Sequence, residues 1–380
     1  MCIAPSLAVL TTAILLLSCQ QGTVQAPLDN FVAAKVIIGY VPGFRGILDT
    51  EHIDPNKVTH INYAFVNVKD STAYLTNLAT DTVNFRKLNG MKRINPQLKI
   101  MISLGGWSWS ENFSDAVLTP SSRKKFAESC AAILKRYYLD GVDIDWEYPG
   151  MKGEDNVFRS EDRQHFTLMF KELRQHLNTL STHTGKSYTL TTALPCFNQI
   201  LSVTDMGQAS KYLDYINLMG YDFYVSGEKA GHHSNLYASE SYDDEDSVDK
   251  AVALYTAAGV PADKLVLGVP FYGRSWIMKS LDNLGINRQV DSVVRAGGYT
   301  FIRDTLAHQP GFVRHWDDKA KAPYLWNAGK RQLVSYDDEQ SIQEKCTFVN
   351  AHHMAGIMFW QFASDPRGYL LDAVNTHLYH

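Results

Sequence analysis

Asp143, Asp145 and Glu147 stand at alternate positions in the run Asp140-Gly141-Val142-Asp143-Ile144-Asp145-Trp146-Glu147. On an extended strand side chains alternate between faces, so the three acids share one side while Val142, Ile144 and Trp146 share the other. Two unit charges about 6 Å apart at an effective dielectric near 20 repel by roughly 3 kcal/mol, which is about two pKa units. The set cannot ionise freely. At least one member retains a proton near neutral pH, as a general acid must, and the titration belongs to the coupled group rather than to one residue. A solvated strand end and a calcium site are the alternatives. Calcium gathers more oxygen ligands around glycine-rich turns, and the interleaved Val, Ile and Trp argue for burial.

The apolar face of this strand requires helices against it, which turns the acids toward the inside of a barrel. Strand-like runs recur at 36–40, 58–68, 98–104, 142–146, 188–194, 213–219, 265–269 and 356–362. Separated by helical stretches, they predict parallel β/α units closed into an α/β fold, a (β/α)8 TIM barrel with its chemistry at the C-terminal strand ends. Helices are predicted over 121–137 and over 161–180, where Phe166, Met169, Phe170, Leu173 and Leu177 fall on one face. The interval from the seventh run to the eighth is longer than one helix and two loops require. A small α+β insertion domain is expected there, over 275–333, with a strand at Tyr299-Thr300-Phe301 and with Trp316, Tyr324 and Trp326 among its aromatics. The barrel would then take 34–274 and 334–380.

The octapeptide from Asp140 to Glu147 resembles, without a departure, the signature of glycoside hydrolase family 18 chitinases. Ser103-Leu104-Gly105-Gly106 and Met219-Gly220-Tyr221-Asp222 are similar to that family's strand-three and strand-six motifs. Phe271-Tyr272-Gly273-Arg274 and Ser335-Tyr336-Asp337-Asp338 resemble the two ends of its insertion, and Trp360 its strand-eight tryptophan. The resemblance spans residues 34–380. It implies hydrolysis of β-1,4-linked N-acetylglucosamine polymers with retention, the substrate's own acetamido oxygen being the nucleophile and Glu147 the acid and then the base. It further implies that Asp145 binds the acetamido N–H, that Asp143 shares a proton with Asp145, and that Tyr40 and Ser103 bond near Asp143. Tyr221 would donate its hydroxyl to the acetamido group, with Met219 and Asp222 completing that subsite. Trp360 would floor the sugar before the scissile bond, and Trp107 and Tyr148 would lie on the leaving-group side. Phe65 and Arg274 are also assigned to substrate contact. Two other functions fit such a groove: a lectin binding chitin oligosaccharides, and an endo-β-N-acetylglucosaminidase acting on N-glycan cores. The intact Glu147, Asp145 and Tyr221 argue against the first, and the insertion argues against the second.

With 36 basic and 40 acidic residues the chain has no basic field for nucleic acid and no polybasic membrane patch. Chitin or chito-oligosaccharides are the expected partners, and a monomer is expected. No cofactor is expected, because no strand is followed by a glycine-rich phosphate loop. The doublets His232-His233 and His352-His353 invite a metal reading. Adjacent side chains point to different sides, however, and lack the spaced partners that zinc requires.

The uncharged apolar run 6–19 is too short to span a bilayer and reads as a signal peptide over 1–19, followed by a linker over 20–33. Leu16-Leu17-Ser18-Cys19 resembles a bacterial lipobox, which makes Cys19 a candidate lipidation site and the protein secreted or tethered to the cell envelope. The departure is that no Lys or Arg precedes the run. Cys130, Cys196 and Cys346 do not form a disulfide framework, and Cys130 is expected to be buried in a helix. Asn112-Phe113-Ser114 fits a glycosylation sequon.

Overall fold

Runs dominated by Val, Ile and Leu become eight parallel strands: β1 (Val36–Pro42), β2 (His60–Lys69), β3 (Lys99–Gly105), β4 (Gly141–Asp145), β5 (Thr189–Pro195), β6 (Tyr215–Met219), β7 (Leu265–Pro270) and β8 (Gly356–Trp360). Each pairs with its sequence neighbours, and β1 pairs with both β2 and β8, which closes the barrel. The computed structural model describes residues 1–2, 35–225, 227–240 and 246–379. The chain divides into two units, Met1–Ala34 and Lys35–His380, and every element named here belongs to the second. The apolar run, Cys19 and the linker lie outside the described residues. Among the described residues no helix is long and apolar enough to cross a membrane.

The helices form where capping and periodicity agree. Pro120–Tyr137 begins with Thr119, whose hydroxyl accepts from the Ser122 N–H in a reciprocal capping box, and with proline at its first position. It buries Phe126, Ala127, Cys130 and Leu134 and ends where Tyr138 turns left-handed at φ 57°. Asp162–Thr184 buries Phe166, Met169, Phe170, Leu173, Leu177 and Leu180 and stops at Gly185, φ 68°. These stripes meet Val142, Ile144 and Trp146 in one continuous core outside the barrel. A second, smaller cluster fills the barrel itself, with Val36, Ile38, Tyr40, Ala64, Val266 and Met358. Fully burying each such large apolar side chain contributes about 1.5–3 kcal/mol.

Between β7 and β8 an antiparallel sheet rises from the barrel rim, the α+β insertion of this TIM barrel. Its strands run in the order Phe312–Asp317, Ala322–Asn327, Gln332–Ser335, Tyr272–Met278, Arg288–Gly298 and Lys229–Ala230. The sheet therefore starts directly after β7 and recruits a short strand from the loop after β6. Trp276 and Trp326 fill its own core with Met278, Ile286, Val290 and Leu333. One expectation is corrected here: Tyr299, Thr300 and Phe301 begin a short helix, Tyr299–Asp304, rather than a strand. Tyr299 and Ile302 are the residues it buries, a spacing of three that suits a helical turn, and Gly298 precedes it in an extended conformation.

A buried ion pair ties the sheet back to the barrel. Lys345, on the helix Glu339–Ala351, places Nζ 2.5 Å from Asp337 Oδ2 and 3.3 Å from Ser234 Oγ. Lys345 is completely buried, and its removal leaves the Asp337 charge without its cation. Lys345→Ala is expected to lose about 3–5 kcal/mol of stability, read as the denaturant midpoint, with the unfolding slope unchanged. Lys345→Met in an Asp337→Leu background should recover most of that loss.

Cys130, Cys196 and Cys346 are buried free thiols. In the Asn112-Phe113-Ser114 sequon the asparagine amide donates to the Val68 carbonyl at 2.9 Å and Ser114 is fully buried on Asp162, so the sequon is part of the packed structure.

Candidate active site

The strand parity places the acids inside the barrel in a column. Asp143 is lowest and fully buried, and all its bonds are accepted ones. Tyr40 and Ser103 hydroxyls donate to Oδ2 at 2.7 Å each, and Thr191 donates to Oδ1 at 2.6 Å with the Asn217 amide at 3.3 Å. Burial raises the Asp143 carboxyl above its ordinary value, and these four donors hold the rise in check. The phenol of Tyr40, buried beside Asp143 and Asp145, is held far above its ordinary range and stays a donor.

One step up the strand, Asp145 has the opposite surroundings. Its Oδ1 is buried with no hydrogen-bond partner. Burial pushes its carboxyl well above the ordinary value, and the charges of Glu147 and Asp143 push further. Charge is therefore better supported on the donor-rich Asp143, and a proton on the donor-poor Asp145.

Glu147 follows the end of β4, where the Ser110 hydroxyl accepts its backbone N–H at 2.9 Å and itself donates to the Asp145 and Gly106 carbonyls. Gly106 N–H donates to the Asp145 carbonyl at 2.7 Å. The two glycines after β3 exist for this stitching: a Cβ on Gly105 would lie 2.2 Å from the Asp145 carbonyl oxygen, and one on Gly106, at φ 76°, would strike the Phe65 ring. Burial pushes the Glu147 carboxyl up to about 7, against a bond from Tyr148 and with the Asp222 charge adding to the rise.

That elevation has a consequence for stability that needs no ligand. The folded state binds the Glu147 proton more tightly than the unfolded chain does, so this stabilisation is complete below the ordinary glutamate value and is lost as pH rises through about 7. Glu147→Gln is therefore expected to have a higher Tm than the parent at pH 8 and a similar one at pH 4. Parallel Tm curves for the two proteins would contradict the buried, proton-holding environment.

Aromatic side chains surround the column at the barrel mouth. Trp360 at the end of β8 lies 5.4 Å from Tyr40 and stacks on Phe65 at 5.5 Å, and Phe65 stacks in turn on Phe44 at 6.1 Å. Trp107 is half exposed and meets Tyr148 edge-on at 6.3 Å, while Tyr148 packs against Phe197. Tyr221 lies beside Asp145 and Glu147, with its hydroxyl 4.0 Å from the Met358 sulfur. Met219 ends β6 beneath it. The peptide bonds Ala64–Phe65, Glu147–Tyr148 and Trp360–Gln361 are cis.

Asp222 is the hub of a second cluster. Arg274 grips it with two bonds of 2.8 and 2.6 Å, the Tyr272 hydroxyl donates to it at 2.7 Å, and His233 Nδ1 is 3.5 Å away. Burial works against its charge, yet His233 and Arg274 hold the carboxyl well below the ordinary range. The histidine doublets divide as parity dictates: His232 faces Asp317 at 3.1 Å while His233 faces Asp222, and His352 and His353 are exposed. Among the described residues no group of three His, Cys, Asp or Glu could hold a metal ion.

The structure thus brings the sequence-marked residues Tyr40, Phe65, Ser103, Asp143, Asp145, Glu147, Tyr148, Met219, Tyr221, Asp222, Arg274 and Trp360 to one mouth, with Trp107 at its edge. Thr191, Asn217, Ser110, Tyr272 and His233 were not marked. Thr191 and Asn217 occupy inward parity positions on β5 and β6, and a polar residue at such a position is itself a signal.

Residues 36–365 match the family described as "Glycosyl hydrolases family 18". The chain belongs to that family. It is 33% identical over 412 residues to chitinase A1 of Niallia circulans, across 90% of this chain and 58% of that protein. It is also 33% identical to chitotriosidase-1 of Mus musculus, across 81% of this chain and 67% of that one. A solved family 18 N-acetylglucosaminidase from Paenibacillus barengoltzii superposes with a TM-score of 0.84 at 36% identity, covering 91% of this chain and 100% of its own. The chain thus spans little more than half the length of chitinase A1.

Proposed function

We propose that the protein is a chitinase that hydrolyses β-1,4-linked N-acetylglucosamine chains with retention of configuration. The observation that carries this reading is the acid column itself. Asp143 is saturated with donors, Glu147 holds a proton near neutral pH, and Asp145 between them has a buried oxygen that no protein group meets.

An N-acetyl sugar above Trp360 supplies what is missing: its amide N–H bonds to Asp145, and the Tyr221 hydroxyl donates to its carbonyl oxygen. That oxygen then attacks the anomeric carbon while the bond to the leaving oxygen breaks and Glu147 gives that oxygen its proton. The positive oxazolinium ring is stabilised by the Asp143–Asp145 pair. Water next attacks the anomeric carbon from the vacated side and gives a proton to Glu147, and the ring opens to the original acetamide. Two inversions leave the configuration retained. Trp107 and Tyr148 receive the leaving sugars. Phe65, with Phe44 and Trp360 against it, acts by holding Trp360, and Arg274 acts by holding Asp222. Met219 lines the acetamide pocket.

The segments 1–19 and 20–33 are assigned as signal and linker, with Cys19 as a lipid attachment point that places the enzyme outside the cytoplasm, and the molecule acts as a monomer. The sheet between β7 and β8 forms one wall of the groove.

The deciding experiment is digestion of a chitin hexamer labelled at its reducing end, with product lengths and anomeric form recorded. Oligomers released as the β-anomer support the chitinase reading. Release of single sugars alone would instead favour an exo-acting N-acetylglucosaminidase, as the solved neighbour from Paenibacillus barengoltzii is called. Tight binding without new reducing ends would make the protein a lectin.

A further inference from the structure

The barrel interior contains polar atoms that no protein group meets. Asn62 on β2 is completely buried, and neither its Nδ2 nor its Oδ1 has a hydrogen-bond partner. Asn217 on β6 is completely buried as well: its Nδ2 donates to Asp143, but its Oδ1 accepts nothing from the protein. A buried polar group left unmet is costly, because it has given up water and gained no partner. A leucine at position 62 would keep the same branching, in a larger side chain, without that cost.

The strand register says where these amides meet. Inward side chains of such a barrel stack in layers of about four, contributed by alternate strands, with a stagger of about one residue per strand. The pairings Tyr40 with Asn62, Ser103 with Asp143, Ala193 with Asn217 and Gly268 with Met358 then put Asn62, Asp143, Asn217 and Met358 in one layer. The layer directly above holds Tyr40, Ser103, Ala193 and Gly268, and Asp145 and Trp360 belong to the next one up. The layer beneath holds the buried side chains of Ile38, Met101, Thr191 and Val266.

We infer that Asn62 and Asn217 enclose a site for internal water, and that both are positioning residues for the proton divided between Asp143 and Asp145. Water is the ligand the donor set fits. Asn62 Nδ2 donates to the water oxygen, and the water donates to Asn217 Oδ1 and to Asn62 Oδ1, which meets all three orphaned atoms. The consequence lies in the orientation of Asn217. With Oδ1 engaged by water, its Nδ2 must face Asp143, which keeps the fourth donor on that carboxylate and leaves the proton on Asp145. Without the water the amide is free to turn its oxygen toward Asp143, and the charge there loses support. The titratable groups facing the pair are Tyr40 from β1, Glu147 after β4, and Tyr221 and Asp222 after β6. His60 and Tyr215 lie lower, on the far side of the layer that holds Ile38.

The role in proton placement rests on the proposed hydrolytic reading, while the water site stands without it. A high-resolution crystal structure of the full chain should contain an ordered water within hydrogen-bond distance of both Asn62 and Asn217 Oδ1. In Asn62→Leu, kcat on a chitin oligomer is expected to fall about tenfold with KM nearly unchanged, the loss of one hydrogen bond to a charged group. Its acid limb should move to higher pH, because a less supported Asp143 takes up its proton sooner as pH falls. Asn62→Ser, small enough to admit a second water, should restore the acid limb, and it serves as the readout if the leucine variant does not fold. A dry centre overturns the water site. An acid limb identical to the parent's in Asn62→Leu, accompanied by a raised Tm, overturns the positioning role. A parent enzyme inactive on every chitin oligomer would end the hydrolytic reading and the positioning role together, and the density would still decide the water.

Discussion

Glu147→Gln will lower kcat on chitin oligomers by about a hundred- to ten-thousand-fold, the range that general acid–base groups contribute, while oligomer binding stays close to that of the parent. The amide has the shape of the acid and accepts the same bond, so the wall of the groove is unchanged. What it lacks is a transferable proton. Glu147 is the one acid of the column that emerges at the mouth, and its carboxyl is held near 7 by burial, so near neutrality it carries the proton that the proposed reaction gives to the leaving oxygen. Equilibrium binding of a labelled oligomer, measured beside single-turnover cleavage, separates the two effects. Parallel loss of binding and rate would mean that the side chain shapes the groove rather than donates, and undiminished turnover would move the acid elsewhere.

The second large effect is expected at Asp145. Asp145→Ala should reduce kcat by about a hundred- to a thousand-fold, as loss of a preorganised group opposite a developing charge does, with a smaller change in KM. Asp145, the donor-poor acid, keeps its proton while Glu147 titrates, and burial rather than a charge on Asp145 raises the Glu147 carboxyl to about 7. The basic limb of the residual activity should therefore stay close to the parent's. A basic limb shifted to lower pH would show that Asp145 carries charge while Glu147 loses its proton.

The parts of the site that could be read in advance are those encoded by local alternation. Asp143, Asp145 and Glu147 declare themselves because three acids interrupt an otherwise apolar strand with a period of two. The same rule would have marked Thr191 and Asn217, each a polar residue at an inward position between buried neighbours. It could not have marked Tyr272 or His233. Tyr272 reaches Asp222 from the insertion sheet, far along the chain, and His233 from further along Asp222's own irregular loop, and no periodicity links either to it. Tyr299 to Phe301 misled for a related reason. Aromatic and β-branched residues suit a strand, but the burial of Tyr299 and Ile302 three residues apart selects a helical turn. The wider architecture was legible because each barrel strand carries its own apolar run, and the length of chain between β7 and β8 announced a further element without disclosing its sheet order.

That sheet order bears on how the enzyme could have been assembled and could be re-engineered. The insertion is continuous with β7, returns through the Asp337–Lys345 pair, and takes its edge strand, Lys229–Ala230, from a different barrel loop. Two of the side chains that hold Asp222, Tyr272 and Arg274, sit on its first strand. It is therefore no detachable cassette. Excising it, or swapping it for the equivalent segment of a relative, would unpair an edge strand and loosen Asp222 at the barrel mouth in the same cut. A working chimera would have to exchange the loop after β6 along with the sheet.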